Sequence, residues 1–340
     1  MTKVLHVTEC YSAGVRHAID SIVAATPDLD HHLLHAGSHQ AVDAGFTTAR
    51  ELPDGLVNRV RAVSSAAKDV DADVIHAHSS WAGVYCRVRR MTGRVVYQPH
   101  GYRLNDPHLR TLEKRLIFTA EALLARHGDV TAVLSEQELG IATALAPGKP
   151  AYFVPNVSFL EPPTLERAGG PERVVMSGRI CSQKDPAFFA EVSRLLRRTH
   201  PSVRCDWLGG GDEPALLGVL RDGDVHVSGW LEQEEVATRL AGASVYLHTA
   251  RYEGFPLSVL DAARCRVPVI VRDIPAFDGT RLDKVKTPAA AVSSILSILA
   301  ERRCGTDRAA REAELLERMS VENLRTAVLD CYDQALGSLT

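Results

Sequence analysis

Short runs of β-branched residues alternate with segments of helical period along the first half of the chain. The predicted strands are Val4–Thr8, His32–His35, Val74–His76, Val95–Gln98, Val130–Leu134 and Ala151–Val154. The predicted helices between them are Val15–Ala25, Leu56–Val70, Trp81–Met91, Arg110–Arg126 and Glu136–Ala144. This alternation is typical of an α/β fold with a parallel, doubly wound sheet.

The same pattern restarts in the second half, after a stretch rich in Pro and Gly. The second set of strands is Val174–Ser177, Val203–Leu208, Val225–Val227, Ser244–His248 and Pro268–Val271, and helices follow at Pro288–Ala300, Asp307–Met319 and Glu322–Leu336. We therefore predict two Rossmann-like domains that face a cleft. Their expected bounds are 1–157 and 173–320, with a linker at 158–172 and a last helix at 321–340.

Composition excludes several classes of function. The net charge of -3 gives no reason to expect binding to nucleic acid. No apolar run approaches the roughly 20 residues that a membrane span needs, and the N-terminus reads as a strand rather than a signal peptide. The seven cysteines are odd in number and form no CxxC pair, which favours a reducing, cytoplasmic setting.

The strongest candidate site follows the strand Ser244–His248. Glu253 lies in a loop, and Asp261 lies about a turn or more into the next helix. Backbone N–H groups of Leu257 and Ser258 at the helix start would be free donors for an anion. The two acids would then bracket a diphosphate. The alternative is a capping acid followed by a solvated helical aspartate.

A second candidate site follows the strand Val174–Ser177. Gly178 permits a close turn, while Arg179 and Lys184 supply two cations that suit phosphate oxygens. The alternative is a loop with two solvated cations. The turn that contains Gly209 is also rich in glycine, but it lacks the GxGxxG spacing, and the chain has no P-loop.

Histidines lie near the ends of two first-half strands. We expect His76 and His78 to lie on alternate faces, which makes a metal pair improbable without a third ligand. His100, followed by glycine, is better placed to hydrogen-bond a substrate hydroxyl or phosphate. The other histidines, including His31 and His32, are expected at the surface or satisfied in the core.

Together these residues resemble the retaining glycosyltransferases of family 4, which have the GT-B fold. Glu253 through Asp261 is similar to the E-x7-E element of that family, and Gly178-Arg179 with Lys184 resembles its G-R-x4-K loop. Further matches in the same order are Val154-Pro155-Asn156, His100-Gly101, Leu208–Glu213, Gly229-Trp230 and the final helix with Tyr332. The resemblance covers nearly the whole chain.

The resemblance implies a role for each candidate residue. Arg179 and Lys184 would neutralise the diphosphate of the leaving group, and no metal or other cofactor would be required. Glu253 would hold hydroxyls of the transferred sugar, Asp261 would hold the ribose, and His100 would reach the sugar from the first domain. The donor site would also include Gly14, Gly178, Gly209, Phe255, Leu257 and Ser258.

Three departures from the family pattern stand out. The second acid of the E-x7-E element is Asp261, one methylene shorter than glutamate. The glycine pair expected after the first strand is Ala13-Gly14. The segment after Val271 is short, with little room for the extra strand and loop that the family usually has there.

The resemblance implies transfer of a sugar from a nucleotide diphosphate sugar to a hydroxyl acceptor, with retention of configuration. UDP is the favoured nucleotide and GDP the next, and polysaccharide or glycolipid synthesis is the expected setting. Asp71-Ala-Asp73 mimics a metal-binding DxD motif but is interpreted as a solvated strand entry. Alternatives are a nucleotide-sugar epimerase or hydrolase, and a silent sugar-nucleotide-binding protein.

Clustered arginines bear on the unidentified acceptor. Four lie within eight residues beside a first-half helix, and three more cations follow: Arg87, Arg89, Arg90 and Arg94, then Arg110, Lys114 and Arg115. They could form a basic face for an anionic membrane or a lipid-linked acceptor at the inner face of the membrane. An ordinary solvated face is the alternative.

Overall fold

The computed structural model describes residues 1–37, 45–163, 170–300 and 306–337. Its strands are β1 Lys3–Thr8, β2 Asp30–His35, β3 Thr48–Glu51, β4 Val74–His78, β5 Arg94–Gln98, β6 Val130–Val133, β7 Ala151–Phe153, β8 Arg173–Ser177, β9 Arg204–Leu208, β10 His226–Val227, β11 Val245–His248, β12 Val269–Arg272 and β13 Asp283–Val285. Its helices are α1 Ala13–Ala25, α2 Leu56–Asp69, α3 Ser80–Arg87, α4 Thr111–Leu124, α5 Glu136–Leu145, α6 Pro186–Thr199, α7 Pro214–Asp222, α8 Gln233–Ala241, α9 Leu257–Arg264, α10 Pro288–Ala300, α11 Thr306–Arg318 and α12 Val321–Leu336.

The first unit contains Met1–Val157, Glu253–Phe255 and Met319–Thr340. Its sheet has the strand order β3-β2-β1-β4-β5-β6-β7, and every paired strand is parallel. The predicted parallel fold of this half is confirmed. Strand β3 was not predicted, because its sequence Thr-Ala-Arg-Glu is polar and mostly exposed.

Apolar side chains cover both faces of this first sheet. On one face, Leu5 and Ile75 pack with side chains of α2 and α3. On the other, Val4 and Val74 pack with α1 and with α12, which contributes Tyr332. The predicted return of the final helix to the first domain is therefore confirmed.

The second unit contains Ser158–Tyr252 and Pro256–Arg318, with the strand order β10-β9-β8-β11-β12-β13. All its paired strands are parallel as well. The expectation that the segment after Val271 lacks room for another strand is wrong. The chain makes a short 3-10 turn at Pro275–Phe277 and then forms β13, which pairs with β12 over three residues.

The start of the predicted linker packs against the second unit. Ser158 and Leu160 are buried, and Arg264 Nε of α9 donates to the Leu160 carbonyl at 2.6 Å. Part of the linker, residues 164–169, lies outside the described residues. Within the described ranges, no helix combines the length and apolar character that crossing a membrane requires.

Candidate functional site

Two glycine turns of the second unit lie against each other at the carboxyl ends of β8 and β9. Trp207 Nε1 donates to the Gly178 carbonyl at 2.8 Å, and Ile180 N donates to the Gly210 carbonyl at 2.8 Å. A Cβ on Gly209 would lie 2.3 Å from the Gly178 oxygen, and Gly209 has a φ of +138°. Only glycine fits there, so the structure brings the two predicted glycines together.

The two predicted cations differ in their surroundings. Lys184 is half-buried, and its Cε lies 3.3 Å from the position of a Cβ on Gly178. Arg179 is exposed and forms no ion pair with the described residues. The Lys184 stem thus packs over the glycine turn, whereas the Arg179 guanidinium is accessible to a ligand.

A buried ion cluster fixes the backbone beside Lys184. Asp185 has a φ of 52° and caps α6 by accepting from Phe188 N at 3.3 Å. Its carboxylate also binds Arg251 Nε at 2.8 Å and Arg272 Nη1 at 2.5 Å. Burial alone would raise the pKa of Asp185, but the hydrogen bonds and charges of the two arginines outweigh it and lower that pKa.

Sequence reasoning missed this cluster. The available signal was the pair Asp185-Pro186, a capping residue followed by proline at the start of a helix. No local pattern shows that Arg251 and Arg272, 66 and 87 residues away, reach the same carboxylate.

The loop after β11 is tied to the Lys184 loop by the backbone. Thr249 Oγ1 donates to the Lys184 carbonyl at 2.7 Å, and Arg251 N donates to the Gln183 carbonyl at 2.8 Å. Gln183 Nε2 donates in turn to the Tyr252 carbonyl at 2.9 Å. The segment that precedes Glu253 is therefore held directly beside residues 178–184, the predicted phosphate loop.

Helix α9 begins at Leu257, immediately after Pro256. No side chain of the described residues caps its N-terminus, so the first-turn N–H groups of Leu257 and Ser258 point out of the helix as donors. Ser258 Oγ accepts from Tyr246 Oη at 2.8 Å, which fixes the hydroxyl beside this helix end.

Asp261 is not the solvated residue of the alternative interpretation. Asp261 is half-buried, and Ser158 Oγ donates to its Oδ1 at 2.6 Å. Burial raises the pKa of Asp261 to about 6, against the opposing effect of the Ser158 hydrogen bond. Ser158 is a neighbour that the sequence did not predict.

The segment Glu253–Phe255 clusters with the first unit, where it meets the loop that follows β5. A Cβ on Gly254 would lie 2.9 Å from Gly101 N, so the two backbones are in close contact. Asn156 Nδ2 donates to the Phe255 carbonyl at 2.7 Å. The structure thus brings the loops of His100 and Glu253 together, and Glu253 is buried.

The backbone at His100 has an unusual conformation for a non-glycine residue. Its φ is 53°, and that of Gly101 is 112°. Glu138 holds this turn by accepting from Gly101 N at 2.7 Å and from Leu134 N at 2.8 Å. Burial raises the pKa of Glu138 to about 7, against these hydrogen bonds. Left-handed backbone of this kind costs on the order of 1–3 kcal/mol and is common at functional sites.

The expectation that His76 and His78 lie on alternate faces is wrong. Residues two apart in a strand share a face, and the two rings stack with centroids 4.0 Å apart. His6 on β1 lies beside them, and one ring nitrogen from each of the three lies within 4.8 Å of the others. These nitrogens could hold a metal, although His6 Nδ1 and His78 Nε2 already bond each other at 3.0 Å.

His100 joins this group, because its Nε2 lies 3.0 Å from His78 Nδ1. Burial lowers the pKa of His100 to about 4, so the imidazole is neutral near pH 7. His31 and His32 are both buried. His31 is satisfied, as expected, by its bonds to His6 and Thr26, whereas His32 bonds Thr48 through Nδ1 and its Nε2 has no hydrogen-bond partner among the described residues.

Gly14 lies in the first turn of α1, and a Cβ added there meets nothing within 4 Å. Ala13 before it has a φ of 46°. The alanine therefore takes the backbone conformation that glycine favours, at the position where the family pattern has a glycine. The predicted phosphate contact of Gly14 stays a prediction.

The predicted membrane contact through Arg87 is wrong. Arg87 is buried, it pairs with Glu121 at 2.8 Å, and its guanidinium lies 3.5 Å from the centre of the Tyr97 ring. Arg89 bonds Ser64, and Arg94 lies 3.4 Å from Asp129. Arg89, Arg90 and Arg94 are exposed. The four arginines therefore do not form one surface, because Arg87 lies in the core.

Family models of glycosyl transferases match both halves of the chain. The family described as "Glycosyl transferase 4-like domain" matches residues 6–156, and "Glycosyl transferases group 1" matches residues 171–301. A curated relative is the UDP-Gal:alpha-D-GlcNAc-diphosphoundecaprenol alpha-1,3-galactosyltransferase of Escherichia coli, 24% identical over 232 residues. That match covers 59% of this chain and 58% of the relative, less than two thirds of its length.

Solved structures share the fold across the whole chain. HepE of Anabaena, solved in complex with UDP-glucose, has a TM-score of 0.81 at 15% identity and covers 100% of both chains. Sucrose-phosphate synthase of Thermosynechococcus elongatus has a TM-score of 0.80 at 15% identity, covering 99% of this chain and 100% of that one. These likenesses establish two parallel-sheet α/β domains of the GT-B type.

Proposed function

The chain belongs to the glycosyl transferases group 1, with a glycosyl transferase 4-like first domain, and from this we propose that it transfers a sugar from a UDP-sugar to a hydroxyl acceptor. The observation that carries the proposal is the phosphate loop of the second unit. Gly178 and Gly209 leave its backbone bare, while Lys184 lies over the turn and Arg179 is unpaired among the described residues.

Charge complementarity supports a diphosphate as the ligand of this loop. The backbone of Lys184 is held by Thr249, and the adjacent Asp185 is already neutralised by Arg251 and Arg272. The charge of Arg179, which forms no ion pair with the described residues, is therefore available to an anion. Charge-assisted contacts of this kind contribute about 1.5–3 kcal/mol each.

The proposed reaction retains the configuration of the sugar. The bond from the anomeric carbon to the phosphate oxygen breaks, and the acceptor oxygen forms its bond to that carbon on the same face. The acceptor proton passes to the departing phosphate oxygen. Arg179 and Lys184 favour this step because negative charge grows on the diphosphate in the transition state. In this proposal they supply the charge that a metal would otherwise supply.

Asp261 and Glu253 are proposed to hold hydroxyl groups of the donor. Ser158 binds one carboxylate oxygen of Asp261, which leaves the other for the ribose. Glu253 would hold the transferred sugar, because its loop lies against that of His100. UDP is favoured over GDP: the Escherichia coli relative is named for UDP-Gal, and HepE was solved with UDP-glucose.

A lipid-linked acceptor at an anionic membrane is the proposed setting. Helix α4 exposes Leu112, Leu116 and Leu123, with exposed fractions of 67%, 63% and 50%, and their spacing places them on one side of the helix. The exposed Arg110 and Arg115 accompany this apolar stripe. An apolar stripe beside cations fits the interface of an anionic membrane, so α4 replaces the Arg87 cluster as the proposed contact.

Substitution of the two loop cations tests the activity. We expect Arg179→Ala and Lys184→Ala each to lower turnover on the order of a hundredfold, since one preorganised charge contact is lost. Arg239→Ala is the matched control, because Arg239 is a cation of the same unit that pairs with Glu235 on α8. Near-normal turnover of both loop variants at saturating UDP-sugar would refute the assignment.

Substitution of Glu253 tests whether Glu253 contacts the sugar of the donor while Asp261 contacts the ribose. We expect Glu253→Ala to lose transfer while UDP still binds, because Glu253 would contact only the sugar. Calorimetry with UDP measures the binding. A collapse of UDP affinity would show that Glu253 has another role, and efficient conversion of the donor without any acceptor would indicate an epimerase or hydrolase instead.

A further inference from the structure

Four histidines form a hydrogen-bonded series across the first sheet. The bonds run from His31 Nδ1 to His6 Nε2, from His6 Nδ1 to His78 Nε2 and from His78 Nδ1 to His100 Nε2, each at 3.0 Å. We name these four residues the histidine relay. The first three are buried, and His100 at the end is partly accessible.

The relay follows from the register of the parallel strands. The relevant order in the sheet is β2-β1-β4-β5. His31 pairs with Val4, and His6 lies two residues after Val4. On the next strand, His6 pairs with His76, and His78 lies two residues after His76. His78 in turn pairs with Gln98, and His100 lies two residues after Gln98. Because a step of two residues keeps the same face, the four rings lie on one diagonal of the sheet.

The far end of the relay is a fixed acceptor. His31 Nε2 lies 2.9 Å from the Thr26 carbonyl and 3.1 Å from Thr26 Oγ1. The hydroxyl donates its own proton to the Ile22 carbonyl at 2.7 Å, so it also acts as an acceptor toward the ring. The proton of a neutral His31 must therefore be on Nε2, which leaves Nδ1 to accept.

The same reasoning applies to each following ring of the relay in turn. His6 must donate from Nε2 to His31, His78 from Nε2 to His6, and His100 from Nε2 to His78. Burial lowers the pKa of each of the four, which agrees with neutral rings. Each neutral ring has one donor and one acceptor, so a single orientation satisfies all the bonds.

We propose that the Thr26 carbonyl, acting through the histidine relay, fixes His100 as the tautomer that carries its proton on Nε2 and accepts hydrogen bonds at Nδ1. His31, His6 and His78 are positioning residues. The relay does not conduct protons, because a carbonyl cannot take up the proton that His31 would pass on. Its role is to fix the tautomer of His100.

The proposal deepens the proposed function and rests on it in one respect, the ligand that His100 meets. An unprotonated Nδ1 accepts a hydrogen bond from a hydroxyl group but has no proton to offer a phosphate oxygen. Of the two ligands that the sequence allows for His100, the relay selects a hydroxyl of the sugar or of the acceptor. Phosphate binding is left to the loop of Arg179 and Lys184.

The decisive measurement is the tautomer of each relay histidine in the intact, ligand-free protein. Protein labelled with 15N-histidine is examined by long-range 1H–15N correlation, which distinguishes protonated from unprotonated ring nitrogens. We expect all four neutral near pH 7 with protons on Nε2, and slow solvent exchange of those of His31, His6 and His78. A proton on Nδ1 of His100 would overturn the proposal, with no variant or substrate required.

A pair of variants tests transmission along the relay. His6→Phe removes the middle ring, and we expect a measurable fraction of His100 to shift its proton to Nδ1. His76→Phe is the matched control, since His76 is equally buried and stacks on His78 but bonds Tyr332 outside the relay. An unchanged His100 tautomer in folded His6→Phe would overturn the proposal. So would tight zinc held by His6 and His78, which would break their hydrogen bond.

Turnover of the same variants separates the relay from the proposed activity. With UDP-sugar and acceptor, we expect His6→Phe to be about tenfold slower than His76→Phe, equivalent to about 1.4 kcal/mol in the barrier. If the wild type shows no transfer, the tautomer measurements still decide the relay. If transfer occurs but both variants are equally fast, His100 does not act through Nδ1.

Discussion

At the scale of single residues, small side chains determine the shape of the proposed phosphate loop, residues 178–184. Gly209 is needed because its Cα lies beside the Gly178 carbonyl, and no β-carbon fits in that space. Asp185 gives the next turn its left-handed backbone and takes up two guanidinium groups. These contacts hold the loop in the ligand-free protein, and such preorganisation lowers the entropic cost of binding.

Two glycine substitutions in the second unit should have opposite effects. Gly209→Ala should lower the free energy of unfolding by roughly 2–4 kcal/mol, because backbone must move away from the new methyl group. Gly218→Ala should raise it by about 0.5–1 kcal/mol, since Gly218 is inside α7 and its Cβ would meet nothing within 4 Å. Urea denaturation measures both.

Binding of UDP to the same two variants supplies the control. Gly218→Ala should bind as the wild type does, whereas Gly209→Ala should bind more weakly. Equal stability and equal affinity of the two variants would contradict the tight contact between Gly209 and Gly178.

Local sequence predicts residues whose role depends on their immediate neighbours. The glycines and cations near β8 were predicted in this way, because turn chemistry and charge are local properties. Arg87 shows the opposite case: its burial depends on Glu121 and Tyr97, which belong to other elements. The histidine relay was also missed, because its members come together only through the register of four strands.

At the scale of elements, hydrophobic period predicted most helices and the central strands. It failed where an element is short or polar, as at β3 and β13, because such strands are specified by pairing rather than by an apolar pattern. Helix α4 is a different case. Its helical form was predicted, but the exposed side of Leu112 and Leu116 depends on how the helix packs.

The exposed stripe of α4 should determine membrane binding. Replacement of Leu112, Leu116 and Leu123 by Ser should weaken binding to vesicles that contain phosphatidylglycerol by roughly a thousandfold or more, since each leucine buried in the membrane contributes about 1.5–3 kcal/mol and about 1.4 kcal/mol corresponds to a tenfold change. Vesicle sedimentation at low and high salt measures it. Leu56→Ser with Val57→Ser is the control, because both side chains are exposed on α2. The contact would be refuted if wild type and stripe variant bound alike.

At the scale of the whole molecule, buried titrating groups connect stability to pH. As the pH falls, a histidine with a lowered pKa is protonated in the unfolded chain before it is protonated in the folded one. Its contribution to the free energy of unfolding is therefore complete above about pH 6.5 and is lost as the pH falls. Burial lowers the pKa of His76 to about 3 and of His100 to about 4. The carboxyls of Glu138 and Glu312, with pKa raised to about 7, act in the opposite direction.

Acid should destabilise the protein, because among the described residues the histidines whose pKa is lowered outnumber the carboxyls whose pKa is raised. We expect the free energy of unfolding to fall between pH 6.5 and pH 5, by up to about 1.4 kcal/mol per pH unit for each unbalanced histidine. Urea denaturation across this range measures the slope. His76→Phe should show a shallower slope, and stability that rises on acidification would contradict the prediction.

The return of α12 to the first sheet has a consequence for synthesis of the chain. The ribosome makes β1 well before Tyr332, yet both belong to one core. Until α12 emerges, the sheet face with Val4 and Val74 lacks part of its apolar cover. Synthesis of the first unit therefore begins before that of the second unit and is completed after it. Newly made chains must be protected from aggregation through this face while the second unit is translated.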